Sequence, residues 1–220
     1  MTDRAVWLAE RRRITEERMN SLFAPIYDER WGSYINPTHQ RIVARFLELC
    51  PADARILDAA CGTGKYWPLL LTGERQVVGI DQSAGMLERA RSKFPTVPTR
   101  KQGMQELDDE QAFDGIICMD ALECVGPEDW PVVLANFQHA LRPGGTLYVT
   151  VEMPEDDLEA VNQSAVAAGL PVVSGEYVKD GTYHYYPTTA HVWSWLTAAG
   201  FRVAEETDGD GYHHILARKR

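Results

Sequence analysis

Nowhere in these 220 residues do eighteen apolar residues run together, and nothing at the start resembles a signal peptide. The expectation is therefore a soluble, cytoplasmic protein without a membrane partner. Basic charge is also scarce: 22 Lys and Arg stand against 32 Asp and Glu, for a formal net charge of −10. No block of Lys and Arg offsets that surplus, which argues against a nucleic-acid partner or an anionic surface. The run "AERRRITEERM" mixes both signs at helical spacing and reads as a solvated helix face. The four cysteines (Cys50, Cys61, Cys118, Cys124) form no CxxC pair and no Cys/His cluster of zinc spacing, so no metal is expected. Cys61 and Cys118 sit in apolar or glycine-rich surroundings that suit small buried hydrophobes. Repeats, low-complexity tracts and linkers are missing too. With 45% hydrophobic and 25% charged residues, one globular domain is expected over 1–220.

What is present alternates between two periods. Arg4–Asn20 and Thr38–Cys50 read as helices, the second with Ile42, Phe46 and Leu49 on one face. "RILDA" reads as a strand, "GKYWPLLL" begins a helix with Pro68 in its first turn, and "QVVGID" is a second strand. "SAGMLERARSKF" is a helix with Ser83 as N-cap, followed by a short strand in "TRKQG". "FDGIICMDAL" is a strand dense enough in apolar residues to be buried on both faces. "PEDWPVVLANFQHAL" is a helix stopped by "RPGG", and "TLYVTVE" is the next strand. This alternation predicts an α/β fold, a doubly wound and mostly parallel sheet. In the last third, "PVVSGEYVKDGTYHYYP" turns at Asp180-Gly181 and "TAHVWSWLTAAG" is a helix ending at Gly200. "FRVAEET" and "YHHILARK", joined by "DGDG", should be antiparallel neighbours.

The segment "ILDAACGTGKY" (Ile56–Tyr66) limits the ligand. A glycine turn after a buried parallel strand lets backbone approach a ligand at the strand's C-terminal end. A mononucleotide P-loop is ruled out, because Gly64-Lys65 has Ala59 where the first glycine belongs and Tyr66 where a hydroxyl should reach magnesium. A dinucleotide site wants a third glycine at position 67, which is Trp67. A nucleoside without phosphate remains. Asp81 ends the second strand 19 residues after Gly62 and can accept from both ribose hydroxyls. These features fit S-adenosylmethionine.

"ILDAACGTGKY", "VVGIDQSAGMLERAR", "FDGIICMDALECV" and "LRPGGTLYVTVE", in that order and spacing, resemble the successive motifs of class I S-adenosylmethionine-dependent methyltransferases, strongly over residues 24–152. The resemblance implies a seven-stranded Rossmann-like sheet with its last strand antiparallel, and a transferase. Carried over by position, it implies that Asp58, Ala60, Gly62 and Gly64 line the methionine moiety and that Asp81 holds the ribose. Gln82 and Met86 would flank the adenosine, Met104 and Gln105 would contact adenine, and Asp120 and Ala121 would lie under the sulfonium. Two departures stand out: Ala60 replaces the usual first glycine, and Gly103 replaces an acid often found before the adenine-contacting pair.

The methyl acceptor should be met by elements outside the sheet. One is the aromatic, Pro- and Gly-broken segment within 1–37, expected as a helix and lid with Trp31 and Tyr34 toward substrate; its "YD" is similar to a family segment that folds over the cofactor, a resemblance that implies Tyr27 near the cofactor carboxylate. The other is the insertion 153–187, which follows the 38–152 core and precedes the C-terminal helix and hairpin of 188–220. Here Tyr183 and Tyr185 are candidate substrate contacts and His184 the preferred base. Because adjacent strand residues face opposite ways, His184 and Tyr185 cannot both meet substrate. Glu152, at the end of the fifth strand, is a second catalytic candidate, and His213 and His214 are weaker ones. A small-molecule acceptor is favoured. A protein or peptide side-chain acceptor, or a non-catalytic cofactor-binding protein, are the alternatives.

Overall fold

The computed structural model describes residues 3–32 and 34–220; Met1, Thr2 and Ser33 (the last within the expected lid) lie outside the described residues. Five strands run parallel: β1 (Arg55–Ala59), β2 (Gln76–Asp81), β3 (Thr99–Lys101), β4 (Phe113–Cys118) and β5 (Leu141–Glu152). Two antiparallel strands, β8 (Phe201–Gly209) and β9 (Tyr212–Lys219), complete a seven-stranded sheet in the order β3-β2-β1-β4-β5-β9-β8. A separate hairpin, β6 (Glu176–Lys179) and β7 (Thr182–Tyr185), turns at Asp180-Gly181 as expected.

Each sheet face has its own core. On one side α2 (Pro37–Leu49), α3 (Trp67–Leu70) and α4 (Ala84–Lys93) bury Ile42, Phe46, Trp67 and Leu87. On the other, α5 (Trp130–Ala140) and α7 (Thr189–Ala198) bury Trp130, Leu134, Phe137 and Leu196. Buried on both faces, the central strands carry apolar residues at nearly every position, which is why they read as runs rather than alternations. The N-terminal helix α1 (Arg4–Arg18) passes into π-helical stretches at Met19–Phe23 and Asp28–Gly32. No helix among the described residues is long and apolar enough to cross a membrane.

Two details differ from expectation. "RPGG" does not lie outside the fifth strand but within it, and the pairing of β4 with β5 shifts register between Phe113 and Gly115. Helix α6 (Leu158–Ala167) was not foreseen, and its burial explains why: Ala165 is its only buried residue, so it has no apolar stripe to read.

Trp67 sets the spacing between the glycine turn and the sheet. Its ring is fully buried. A side-chain carbon at Gly64 would fall 2.7 Å from the ring, and one at Gly79 on β2 would fall 2.6 Å from it. The indole Nε1 donates to Asp58 Oδ2 at 2.8 Å. Burial pushes the Asp58 carboxyl up to about 8, with the nearby charges of Asp81 and Asp120 adding to the effect and the Trp67 bond opposing it. The folded state therefore prefers Asp58 protonated. That stabilisation is complete below the unfolded carboxylate range near pH 4 and is lost as pH rises toward about 8. Asp58→Asn keeps an oxygen for the indole without the titration. Its melting temperature, compared with the parent's, should climb steadily between pH 4 and 8; parallel pH dependences of the two proteins would contradict this.

Candidate functional site

The chain order places β1 between β2 and β4, so the connections leave in opposite directions and open a crevice at the strands' C-terminal ends. A cavity with about 800 Å³ of empty volume, part of it open to solvent, lies there.

Its floor is made of strand ends. After β1, Ala60 and Gly62 take left-handed φ values of 62° and 53°. A Cβ at Gly62 would meet no atom within 4 Å, so it would stand in open space. The Gly62 N–H donates to Asp81 Oδ2 at 2.8 Å and the Ser83 N–H to Asp81 Oδ1 at 2.7 Å. Burial raises the Asp81 carboxyl above its usual range, against the pull of these two amides. Each oxygen keeps a second lone pair, and Asp81 lines the cavity. With one donor on each oxygen, the acid is half satisfied.

Gln82, Met86, Met104 and Gln105 also line the cavity. Asn136 on α5 donates to the carbonyls of Met104 and Gln105, both at 3.0 Å, and so fixes that turn. At the other end lie Tyr27, Asp120 and Ala121. Asp120 adopts φ 52°. It accepts from Tyr66 OH at 2.6 Å and lies 2.8 Å from His39 Nε2, with Lys65 Nζ 4.0 Å away. The His39 ring is fully buried and stacks on Tyr66 at an interplanar angle of 8°. Burial alone would raise the Asp120 carboxyl, but His39, Tyr66 and Lys65 together hold it below the usual range.

Ten expected residues thus line one cavity: Tyr27, Ala60, Gly62, Asp81, Gln82, Met86, Met104, Gln105, Asp120 and Ala121. Asp58 and Gly64 do not, because both are turned to the Trp67 ring. Tyr183 and Tyr185 face the core instead: Tyr183 donates to buried Glu176 and packs edge-on against Trp7, and Tyr185 lies against Trp195. Trp31 and Tyr34 are exposed and line no part of the cavity, Trp31 packing against Phe23 and Tyr27. His184 and Glu152 meet each other, Nδ1 to Oε2 at 3.4 Å, but outside the lining. His214 is tied to Tyr148 and the Gly209 carbonyl, and His213 to Asp208.

Six lining residues were not foreseen: Arg12, Thr15, Met19, Gln102, Cys124 and Val125. The first three sit at i, i+3 and i+7, a helical face that was legible but read as solvated. Arg12 in particular reaches Gln82 Oε1 at 3.3 Å and Glu106 Oε2 at 2.5 Å. Among charged groups the lining carries Asp81 and Asp120 against Arg12 alone, a balance that suits a cationic ligand better than a pyrophosphate.

A family model described as a methyltransferase domain matches residues 56–145. The ubiquinone biosynthesis O-methyltransferase of Xanthomonas axonopodis pv. citri is 32% identical over 198 residues, covering 84% of this chain and 77% of that protein. The trans-aconitate 2-methyltransferase of Methylobacterium nodulans is 29% identical over 180 residues, covering 77% of this chain and 65% of that one. In fold, the chain superposes on magnesium protoporphyrin IX methyltransferase from Synechocystis PCC 6803 with bound SAH. The TM-score is 0.70 at 18% identity, covering 96% of this chain and all of the other.

The Asp120 network can be tested without any ligand. Tyr66→Phe removes one donor to a carboxylate, worth about 1.5–3 kcal/mol. A carboxyl held low in the folded state stabilises it above pH ~4 and loses that contribution as pH falls. The deficit of Tyr66→Phe in urea melts should therefore be largest near neutrality and shrink toward pH 3. A deficit that is constant with pH would mean the hydroxyl does not support the charge.

Proposed function

The chain belongs to the class I S-adenosylmethionine-dependent methyltransferases, and from that premise we propose that it methylates a small molecule seated beside the Asp120–Ala121 turn. The observation carrying this reading is the cavity itself: left-handed Ala60 and Gly62 bring backbone to its floor, and two carboxylates, Asp81 and Asp120, face it. The names of the relatives point the same way, to ubiquinone biosynthesis and to trans-aconitate.

When bound, S-adenosylmethionine supplies a methyl group on a sulfonium. The protein's share is to hold, orient and dry the reactants. Asp81 would accept from the ribose hydroxyls with its two free lone pairs. Gln82 and Met86 would flank the adenosine, and Met104 and Gln105, fixed by Asn136, would meet adenine. Ala60, Gly62, Tyr27 and Asp120 would surround the methionine end, with Asp120 kept anionic opposite positive charge. Alignment alone can supply roughly 7–11 kcal/mol of the barrier. His184 and Glu152 are proposed to act on the acceptor's proton. With a net charge of −10 and an acid-rich lining, no nucleic-acid partner is proposed.

The N-terminal segment would be the lid. Arg12, Thr15, Met19 and Tyr27 roof the cavity. They are latched from outside by Arg4 to Glu128 and buried Glu176, and by Asn20, which accepts from Ser83 Oγ and the Gly85 N–H, both at 2.8 Å. Closure would exclude water, and release of product would require opening.

By calorimetry, S-adenosylhomocysteine should bind whereas NAD and ATP should not. Asp81→Ala should weaken that binding at least about tenfold, the loss expected for one hydrogen bond to a charged group. A folded variant that binds within twofold of the parent would remove the ribose assignment. For the lid, amide exchange across residues 12–32 should slow on adding S-adenosylhomocysteine, and Arg12→Ala should blunt that protection. Exchange that is slow and ligand-independent would instead mark a permanently packed element.

A further inference from the structure

Gln82 and Gln105 both line the cavity, and each is gripped at one end of its amide by a charged residue from outside the sheet. Gln82 Oε1 accepts from Arg12 Nε at 3.3 Å. Gln105 Nε2 donates to Asp129 Oδ2 at 3.1 Å. A guanidinium only donates and a carboxylate only accepts, so neither amide can turn over without setting like against like. Gln82 therefore keeps its NH₂ end for the cavity, and Gln105 keeps its carbonyl end.

Both grips are braced. Arg12 Nη2 donates to Glu106 Oε2 at 2.5 Å. Further along α1, Glu16 pairs with Lys101 at the end of β3 at 2.7 Å, which holds the helix to the same side of the cavity. Asp129 is the N-cap residue of α5, and Asn136 on that helix holds the carbonyls of Met104 and Gln105. Side chain and backbone of Gln105 thus answer to one helix. The two amides are also near each other, because the Arg12 guanidinium touches both Gln82 and the turn Met104–Glu106 that carries Gln105.

Resting on the methyltransferase reading above, we infer that Arg12 and Asp129 are positioning residues that make the cofactor site select adenine, each by locking one glutamine amide. Gln82 follows the ribose-holding Asp81, so its N–H meets the sugar edge of the base, where N3 accepts. Gln105 lies on the facing turn, so its carbonyl meets the 6-position, where the amine of adenine donates. One donor and one acceptor, fixed in that order, match adenine. A 6-oxopurine sets carbonyl against carbonyl at Gln105 and leaves both without a donor. Gly103 stands where an acid is often found before the adenine-contacting pair, and the locked carbonyl of Gln105 supplies an acceptor that a glycine side chain cannot.

The test titrates the full chain by calorimetry with three ligands: S-adenosylhomocysteine, its 6-oxo analogue S-inosylhomocysteine, and its 3-deaza analogue, in which a C–H replaces N3. The parent should bind each analogue at least about tenfold more weakly than S-adenosylhomocysteine. Asp129→Asn keeps the shape but can donate as well as accept, so Gln105 can turn over. S-inosylhomocysteine should then bind at least about fivefold more tightly than it does to the parent, a gain that general loosening of the site does not produce. For Arg12 the charges are exchanged, Arg12→Glu together with Glu106→Arg. The exchange restores the ion pair between roof and turn but presents Gln82 with an acceptor, so its amide turns over. The preference for S-adenosylhomocysteine over the 3-deaza analogue should fall to within about threefold. If the exchanged protein melts early, Gln82→Leu, which removes the donor, should erase the same preference. The inference is overturned if the parent binds S-inosylhomocysteine as well as S-adenosylhomocysteine, if Asp129→Asn leaves S-inosylhomocysteine affinity unchanged, or if the 3-deaza preference survives these changes at Arg12 or Gln82. Failure of S-adenosylhomocysteine to bind the parent would strike the methyltransferase reading instead.

Discussion

Two backbone amides on one carboxylate organise this molecule. Asp81 accepts from Gly62 with one oxygen and from Ser83 with the other. The first bond fixes the left-handed turn after β1; the second fixes the start of α4, whose N-cap Ser83 accepts from Met86. Ser83 then donates to Asn20, on the segment that roofs the cavity. A single chain of hydrogen bonds therefore runs from floor to roof, and Asp81 is its middle. Removing that carboxylate would disturb the cavity's shape as well as any ligand contact, because the two functions share the same atoms.

Much of the fold was legible because its signals are local. Buried parallel strands announce themselves as apolar runs, and the glycine turn follows one of them directly. The positions at strand ends were legible for the same reason: Ala60, Gly62, Asp81 and Asp120 sit where a strand stops and a crevice must open. What remained hidden was direction. Asp58 could face cavity or core, and an indole nine residues later decides in favour of the core. Tyr183 and Tyr185 share a parity opposite to His184, but with aromatic rings on both faces of the hairpin the pattern could not say which face was buried. Arg12 looked solvated because its partners, Gln82 and Glu106, lie 70 and 94 residues away.

Gly103 illustrates how a departure from a family's pattern can be an exchange rather than a loss. A side-chain carbon at that position would collide with the Arg12 guanidinium and the Glu106 carboxylate. The acid usual before the adenine-contacting pair is absent here, and a carboxylate three residues later, paired to Arg12 of the N-terminal helix, occupies that neighbourhood, so a side chain at 103 would displace the flexible ends of that pair. The glycine is the space left for an ion pair that joins roof to floor.

The latches of the first helix also dictate an order of assembly. Arg4 is held by Glu128, the Pro171 carbonyl and Glu176, which lie 124, 167 and 172 residues further along the chain. On a ribosome, Arg12 and Asn20 can dock once residues 82–106 have emerged, but the Arg4 end of this helix has nothing to dock on until the hairpin near residue 176 follows. The sheet likewise stays open at β5 until β9, the last strand, pairs with it along seven positions. Contacts this distant are slow to form because the intervening loop must close first. The nascent chain therefore passes through a stage with the start of its roofing helix unlatched and a sheet edge unpaired, and the two closures that end that stage both depend on its final third.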